Sequence, residues 1–366
     1  MMSTEAGPHV GAAHPPPAPG RWRRIGPVLA LLALAPWAAE CSWGGFTAVD
    51  SLVVVVVLAP LYGGAAVLVR ETARRTGGGW PAIVLLAAAF GVYQAGLVDQ
   101  SLFNPAFLAD TEFAEAGAQA AGTRVPGLGF SAEQAVDFVG NHVALSICAP
   151  IALVESFVGP RRRHRPWLGR WGLLAVAVLL ALGSLMIFSD DSGRKGFLLS
   201  PVQATVAVLT VLVLVGAALL PRWRRTPRRV AVPAPHPGWV GLVVLGAHLS
   251  SALLSGWVRV GWQLLAAAAV AVLVVRWSRR AGWGQRHVLA AWAAGLLLAA
   301  AFTYFVPNYA PASPTEALVG DVVVTVVALA LTVGAFHRLR RRPPTDEATE
   351  AALDRPALQD RARSRK

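Results

Sequence analysis

Apolar residues in this chain arrive in long unbroken blocks rather than in short amphipathic runs. A run of about 20 apolar residues is the length that crosses a hydrocarbon core as a helix. Ten such blocks can be counted, at 25–43, 49–69, 80–98, 133–158, 171–189, 197–220, 238–256, 260–275, 287–306 and 317–336. The seventh and eighth are separated by only a few residues around Arg259, so they are expected to form a tight helical hairpin. The pattern predicts an all-α, polytopic transmembrane bundle of about ten spans occupying residues 21–342.

The flanks differ. Residues 1–20 carry Pro15, Pro16, Pro17 and Pro19 with glycine and alanine and show no apolar period, which reads as a disordered cytoplasmic tail. Residues 343–366 mix acids and arginines and form a second cytoplasmic tail, with room for a short helix over Asp346–Leu353. Between the third and fourth blocks lies a long extracytoplasmic loop, residues 99–132, expected to form a lid or a short surface helix.

Orientation follows from the arginines. The segments on one side of the blocks, from Arg21–Arg24 through Arg70–Arg75, Arg161–Arg170, Arg222–Arg229 and Arg276–Arg286 to Arg338–Arg342, hold 24 arginines, whereas the other side holds four basic residues: Arg124, Arg194, Lys195 and Arg259. Cytoplasmic loops carry the excess of basic residues, so both termini are expected inside. Arg21–Arg24 followed by an apolar run also has the form of a signal peptide. Glu40 before Cys41 and the lack of a small-residue cleavage pattern favour an uncleaved span.

Composition agrees with a membrane protein. Hydrophobic residues make up 55% and charged residues 14% of 366 positions, against about 25% charged in soluble domains. Mean hydropathy is +0.52. The net charge of +13 sits in short clusters between apolar blocks, without the aromatic-interleaved or zinc-finger patterns of nucleic-acid binders. The partner this implies is membrane lipid, not nucleic acid, and no protein partner can be named. Two cysteines, Cys41 and Cys148, rule out a disulfide framework and a cysteine metal cluster. Trp22, Trp43, Trp80, Trp171, Trp239, Trp257 and Trp283 fall near block ends, where tryptophan anchors a helix at the interface.

Polar groups inside spans are costly unless paired or hydrated, so they are the candidates for function. The fourth block holds Glu133, Asp137, Asn141 and His142. The first three are spaced by four and share a helix face, with His142 one position round. The third block ends at Tyr93, Gln94 and Asp99, and its Ala87, Gly91, Ala95 and Asp99 form a face of small residues that admits a close neighbour. Asp99, Asp137, Asn141 and His142 are therefore the candidate buried polar site. Two readings stand: a proton or cation pathway, or headgroup-level carboxylates with Asn141 and His142 as glue between helices. His248, beside Ala247, Ser251 and Ser255, reads as packing, and Glu155 near the inner end is expected to pair with Arg161 or Arg162.

Catalytic signatures are missing. There is no P-loop, no H-E-x-x-H and no G-x-S-x-G, and no ligand spacing in the acidic 99–132 loop that would suggest calcium. No catalytic residue, metal or cofactor is assigned.

Val69-Arg70-Glu71, Gly79-Trp80-Pro81 and Gln100-Ser101-Leu102-Phe103-Asn104-Pro105, within Tyr62–Pro105, resemble an uncharacterised family of bacterial polytopic membrane proteins, and the resemblance continues through His142 to Glu155. It implies no activity. Phe138-Val139-Gly140-Asn141-His142 is also similar to the second element of CAAX-processing and bacteriocin-processing intramembrane proteases. The glutamate pair of that chemistry is replaced by Gln94-Ala95, and His248 has Ala252 four positions on where Asn or Asp is wanted. The expectation is a non-enzymatic integral membrane protein serving small-solute or ion passage, or acting as an accessory or sensor. The alternatives are a diverged, inactive intramembrane hydrolase using Asp137, His142 and Asp99, and a structural or partner-binding bundle.

Overall fold

The computed structural model describes residues 21–190, 194–224, 230–309 and 312–341. Both expected tails, including the helix over Asp346–Leu353, lie outside the described residues. In chain order the helices are α1 (Arg21–Pro36), α2 (Ala48–Leu58), α3 (Gly64–Thr76), α4 (Gly79–Tyr93), α5 (Ala114–Ala120), α6 (Ala132–Asn141), α7 (Ala149–Phe157), α8 (Pro160–Arg163) and α9 (Arg170–Ser189). They continue with α10 (Pro201–Ala218), α11 (Pro237–Leu249), α12 (Gly256–Ser278), α13 (Gln285–Phe302) and α14 (Pro314–Arg340). The fold is largely helical. One exception to the all-α expectation is a short parallel ladder between β1 (Val230–Pro233) and β2 (Arg280–Ala281), which ties two connections at the arginine-rich end.

Among the described residues, eight helical stretches are long and apolar enough to cross a membrane: Ala48–Thr76, Gly79–Val98, Ala132–Phe157, Arg170–Ser189, Pro201–Arg224, Gly256–Ser278, Gln285–Phe305 and Pro314–Arg340. Two shorter apolar helices, Ile25–Cys41 and Pro237–Leu249, coincide with the first and seventh blocks of the sequence. Local chemistry sets the starts. Thr47, Ser131, Ser200 and Ser313 each accept a backbone N–H of the first turn, and Gln203 and Glu316 reach back to complete capping boxes.

Four helices are not regular. Single π-helical turns interrupt them at Trp37–Cys41, Ala59–Gly63, Gln94–Val98 and His142–Cys148. Pro36, Pro60 and Pro150 stand in or beside three of the turns. Proline removes a backbone donor, and a locally widened turn restores hydrogen bonds in a setting where water cannot. These helices also pack closely. A Cβ on Gly63 would come within 2.6 Å of the Leu32 backbone, and one on Gly91 within 3.2 Å of Val139 and His142. The small-residue face of α4 is thus the seat of the fourth span.

The core lies among α1, α3, α4 and α7 with their π turns, and a second apolar cluster joins α7 to α13 and α14. By contrast α9, α10 and α12 sit at the rim, presenting Leu182, Leu185, Leu212, Val213, Leu264 and Leu265 outward.

Candidate functional site

Each π turn carries one polar side chain toward a common point. They are Glu40, Tyr62, Gln94 with Asp99 just beyond it, and His142. The Tyr62 hydroxyl and the Glu40 carboxylate lie near enough to interact. The His142 ring lies 5.7 Å from the rings of both Tyr62 and Phe90, and its Nδ1 is 3.0 Å from Ser146 Oγ. The Gln94 amide donates to Asp99 Oδ2 at 3.3 Å, and the Ser101 amide donates to Oδ1 at 2.9 Å. Glu40 and Asp99 are near enough for their charges to repel. π turns recur at functional sites because they push side chains and backbone groups out of the regular helix.

Two details distinguish this cluster from packing. Both acidic residues are set deep in the protein, and each as a whole keeps part of its surface accessible. The buried Gln94 Oε1 meets no donor, and buried polar atoms are nearly always satisfied. Burial pushes the Asp99 carboxyl up to about 6, against the opposing hydrogen bonds from Ser101 and Gln94.

Aromatic rings cover the end away from the arginines. Tyr309, from the connection between α13 and α14, lies 4.9 Å from Phe113, 5.7 Å from Trp43 and 5.3 Å from Phe46. Burial, and then the charges of Glu40 and Asp99, push its phenol upward. Phe113 directly precedes α5, so the 99–132 segment contributes both a short helix and part of this cover. Its base is pinned elsewhere. Gln100, at φ +59°, accepts from the Leu199 amide, Asn104 donates to the Arg194 carbonyl, and Lys195 pairs with Asp110. That pairing holds the Asp110 carboxyl below its usual range.

The opposite end is closed by charge. Glu155 accepts from Arg70 at 3.2 Å and from Arg74 at 3.0 and 2.6 Å, and Glu71 accepts from Arg70, Arg75 and the amides of Trp167 and Leu168. Arg70, Glu71 and Glu155 are fully buried, and the Arg70 guanidinium lies 3.5 Å over the Trp167 ring. The expected pairing of Glu155 with Arg161 or Arg162 is corrected: its partners are on α3, and α8 contributes Arg163, which donates to the Glu155 backbone carbonyl.

The four candidates from the sequence are divided between two places. Asp99 and His142 belong to the π-turn cluster. Asp137 faces the other way, to Arg259 at 3.1 Å and Gln263 at 3.2 Å on α12, where Glu133 also pairs with Arg259. Asn141 is half-buried between them. Glu40 and Tyr62 had no sequence argument as site residues. A carboxylate within an apolar run beside Pro36, and a tyrosine after Pro60, were the available signals.

Chemically, two carboxylates, a phenol, an amide oxygen and an imidazole can hold and pass a proton or accept a small cation. His142 and Ser146 are a poor nucleophilic pair, because Ser146 is fully buried and offers no face to a substrate. Among the described residues no group of three or more His, Cys, Asp or Glu could hold a metal ion, and both cysteines are free and buried.

Apolar spans, broken helices and a buried polar cluster define a multi-pass helical membrane protein. The chain belongs to an uncharacterised membrane protein family, which it matches over residues 29–352. No curated protein and no solved structure matches it, and nothing ties it to the CAAX-processing or bacteriocin-processing proteases.

Proposed function

We propose that the protein carries out proton-linked passage of a small solute or ion, with Glu40, Tyr62, Gln94, Asp99 and His142 as its proton-binding site. The single observation that carries this reading is the convergence of four π turns, each bringing a polar group to one point among apolar helices. Regular helices would satisfy the backbone more simply, so the irregularity has a use at that point. Asp137 with Arg259 and Gln263 is a neighbouring polar contact that fixes α12 against α6. Asn141 lies between the two.

The proposed topology has ten spans, with the two shorter apolar helices crossing as well and both termini in the cytoplasm. The arginine asymmetry supports it. In this arrangement the site lies in the outer half of the bundle. Its aromatic cover faces outside and the Arg70–Glu71–Glu155 network seals the inside, so passage requires each closure to open in turn. Reporter fusions after Thr123 and Gly193 are expected outside, and after Thr76, His164 and Pro233 inside. Two consecutive reversals would contradict the map.

The functional test is decay of a pH gradient in proteoliposomes, alone and with sodium, potassium or methylammonium present. Decay faster than in empty liposomes under at least one condition, abolished by Glu40→Gln and Asp99→Asn and slowed by Tyr62→Phe, is the expected result. Decay indistinguishable from empty liposomes under every condition would contradict passage. Faster decay unaffected by the three substitutions would contradict the site.

A further inference from the structure

The π-turn cluster is short of hydrogen-bond donors. Asp99 takes one amide N–H on each carboxylate oxygen, from the Ser101 backbone at 2.9 Å and from the Gln94 side chain at 3.3 Å. The second bond fixes how the Gln94 carboxamide sits. Its nitrogen faces Asp99, so its oxygen, on the same carbon, is held beside that carboxylate. Gln94 is 2% exposed, and this oxygen meets no donor. Glu40 is a further acceptor, near enough to Asp99 for the two charges to repel. Buried acceptors set side by side call for a partner that brings N–H groups and positive charge.

The end of the cluster away from the arginines is aromatic. The Trp43 ring stands at 70° to that of Phe113 and 77° to that of Tyr309, with centroids 5.9 and 5.7 Å apart. Tyr309 keeps 37% of its surface exposed, while Glu40 and Asp99 still act on its phenol. The three rings therefore stand between the carboxylates and solvent. Aromatic faces attract ammonium groups through the ring quadrupole.

We infer, resting on the reading of this cluster as a passage site, that its cargo is a small primary ammonium ion of about the size of methylammonium. The ammonium N–H groups donate to Gln94 Oε1 and Asp99, and the alkyl group meets the Trp43, Phe113 and Tyr309 rings. Charge-assisted bonds of this kind are directed at single oxygens. A bare metal cation wants a shell of oxygens instead. Here Asp99 already spends one acceptor position of each oxygen on an amide, and the side toward solvent offers rings.

The test is calorimetric titration of the purified full chain in detergent, at neutral pH and constant ionic strength, with methylammonium, tetramethylammonium, sodium or potassium chloride. Methylammonium is expected to bind about tenfold more tightly than either metal ion, and more tightly than tetramethylammonium, which has no N–H to donate. Gln94→Leu is expected to weaken methylammonium about tenfold, the loss of one charge-assisted hydrogen bond. Gln263→Leu, outside the cluster, leaves binding unchanged. Should Gln94→Leu fail to fold, Phe113→Leu decides, because it removes a ring from the 99–132 segment without altering a span, and is expected to weaken methylammonium severalfold. Equal binding of sodium, equal binding of tetramethylammonium, or methylammonium binding unchanged in the deciding variant would each overturn the inference. The outcome is separable from passage itself. Methylammonium binding without decay of a pH gradient in proteoliposomes would sink passage and uphold the ligand class. Decay driven by sodium or potassium, with no methylammonium binding, would uphold passage and overturn the ligand class.

Discussion

The helices at the centre of this bundle and those at its rim are both apolar, yet they are built for different surroundings. In Gly79–Val98, 61% of the most apolar stretch is buried in the protein, whereas in Gly256–Ser278 the share is 6%. The central helices carry prolines, glycines, π turns and the fully buried charges Arg70, Glu71 and Glu155. The rim helices α9 and α10 are regular and nearly featureless, and α12 places its polar residues Arg259 and Gln263 near one end. A helix in contact with lipid on most sides has no partner for a displaced carbonyl or a carboxylate. One enclosed by other helices can tolerate both. The comparison teaches that irregularity and buried charge mark the helices whose neighbours are protein.

The largest way to break this contrast is at the buried charges. Glu155→Ala leaves Arg70 charged, buried and short of a partner, and is expected to cost about 3–5 kcal/mol, read as a large loss of folded yield and melting temperature. Arg75→Ala removes a partner that is one-third exposed and should cost less than about 1 kcal/mol. Equal effects would mean that burial does not govern the network.

Close approach comes next. Gly63→Ala puts a methyl group against the Leu32 backbone, and overpacking of that kind costs about 1–3 kcal/mol. Gly261→Ala on α12, where nothing lies within 4 Å, should be neutral or slightly stabilising in the same thermal assay.

A pH dependence separates the two regions further. Native Asp99 holds its proton up to about pH 6, whereas an unfolded aspartate releases it near pH 4 or so. The native state therefore binds more protons across that window. Stability contributed by Asp99 falls as pH rises through it and is level above. Asp99→Asn should flatten this slope in unfolding measured across the window, and a slope unchanged by the substitution would place the titrating group elsewhere. The smallest effect is expected at the rim. Leu265→Ala faces lipid, loses no buried contact and should stay within about 0.5 kcal/mol of wild type.

The sequence made the spans legible because their signal is local: length, apolarity and alternating arginine. His142 and Asp99 were legible for the same reason, as polar residues in or beside apolar blocks. The division of Asp137 from His142 was not. Five positions along the chain turn one residue to α12 and the other to the centre, and only the packing of helices distant in sequence decides which. Glu155 found Arg70 rather than Arg161 because its partner comes from a helix 85 residues earlier, a pairing no spacing rule contains. Glu40 sits in a first apolar segment whose flanks also suit a signal peptide, and the π turn that carries it comes from tertiary packing around Pro36.

Infrared titration of the purified protein tests most directly whether the π-turn cluster is a proton site. The account predicts a protonated carboxyl band that fades with a midpoint near the Asp99 value of about 6. The titrating band should be lost in Asp99→Asn. A band that does not titrate near that pH, or one that is the same in Asp99→Asn as in wild type, would contradict it.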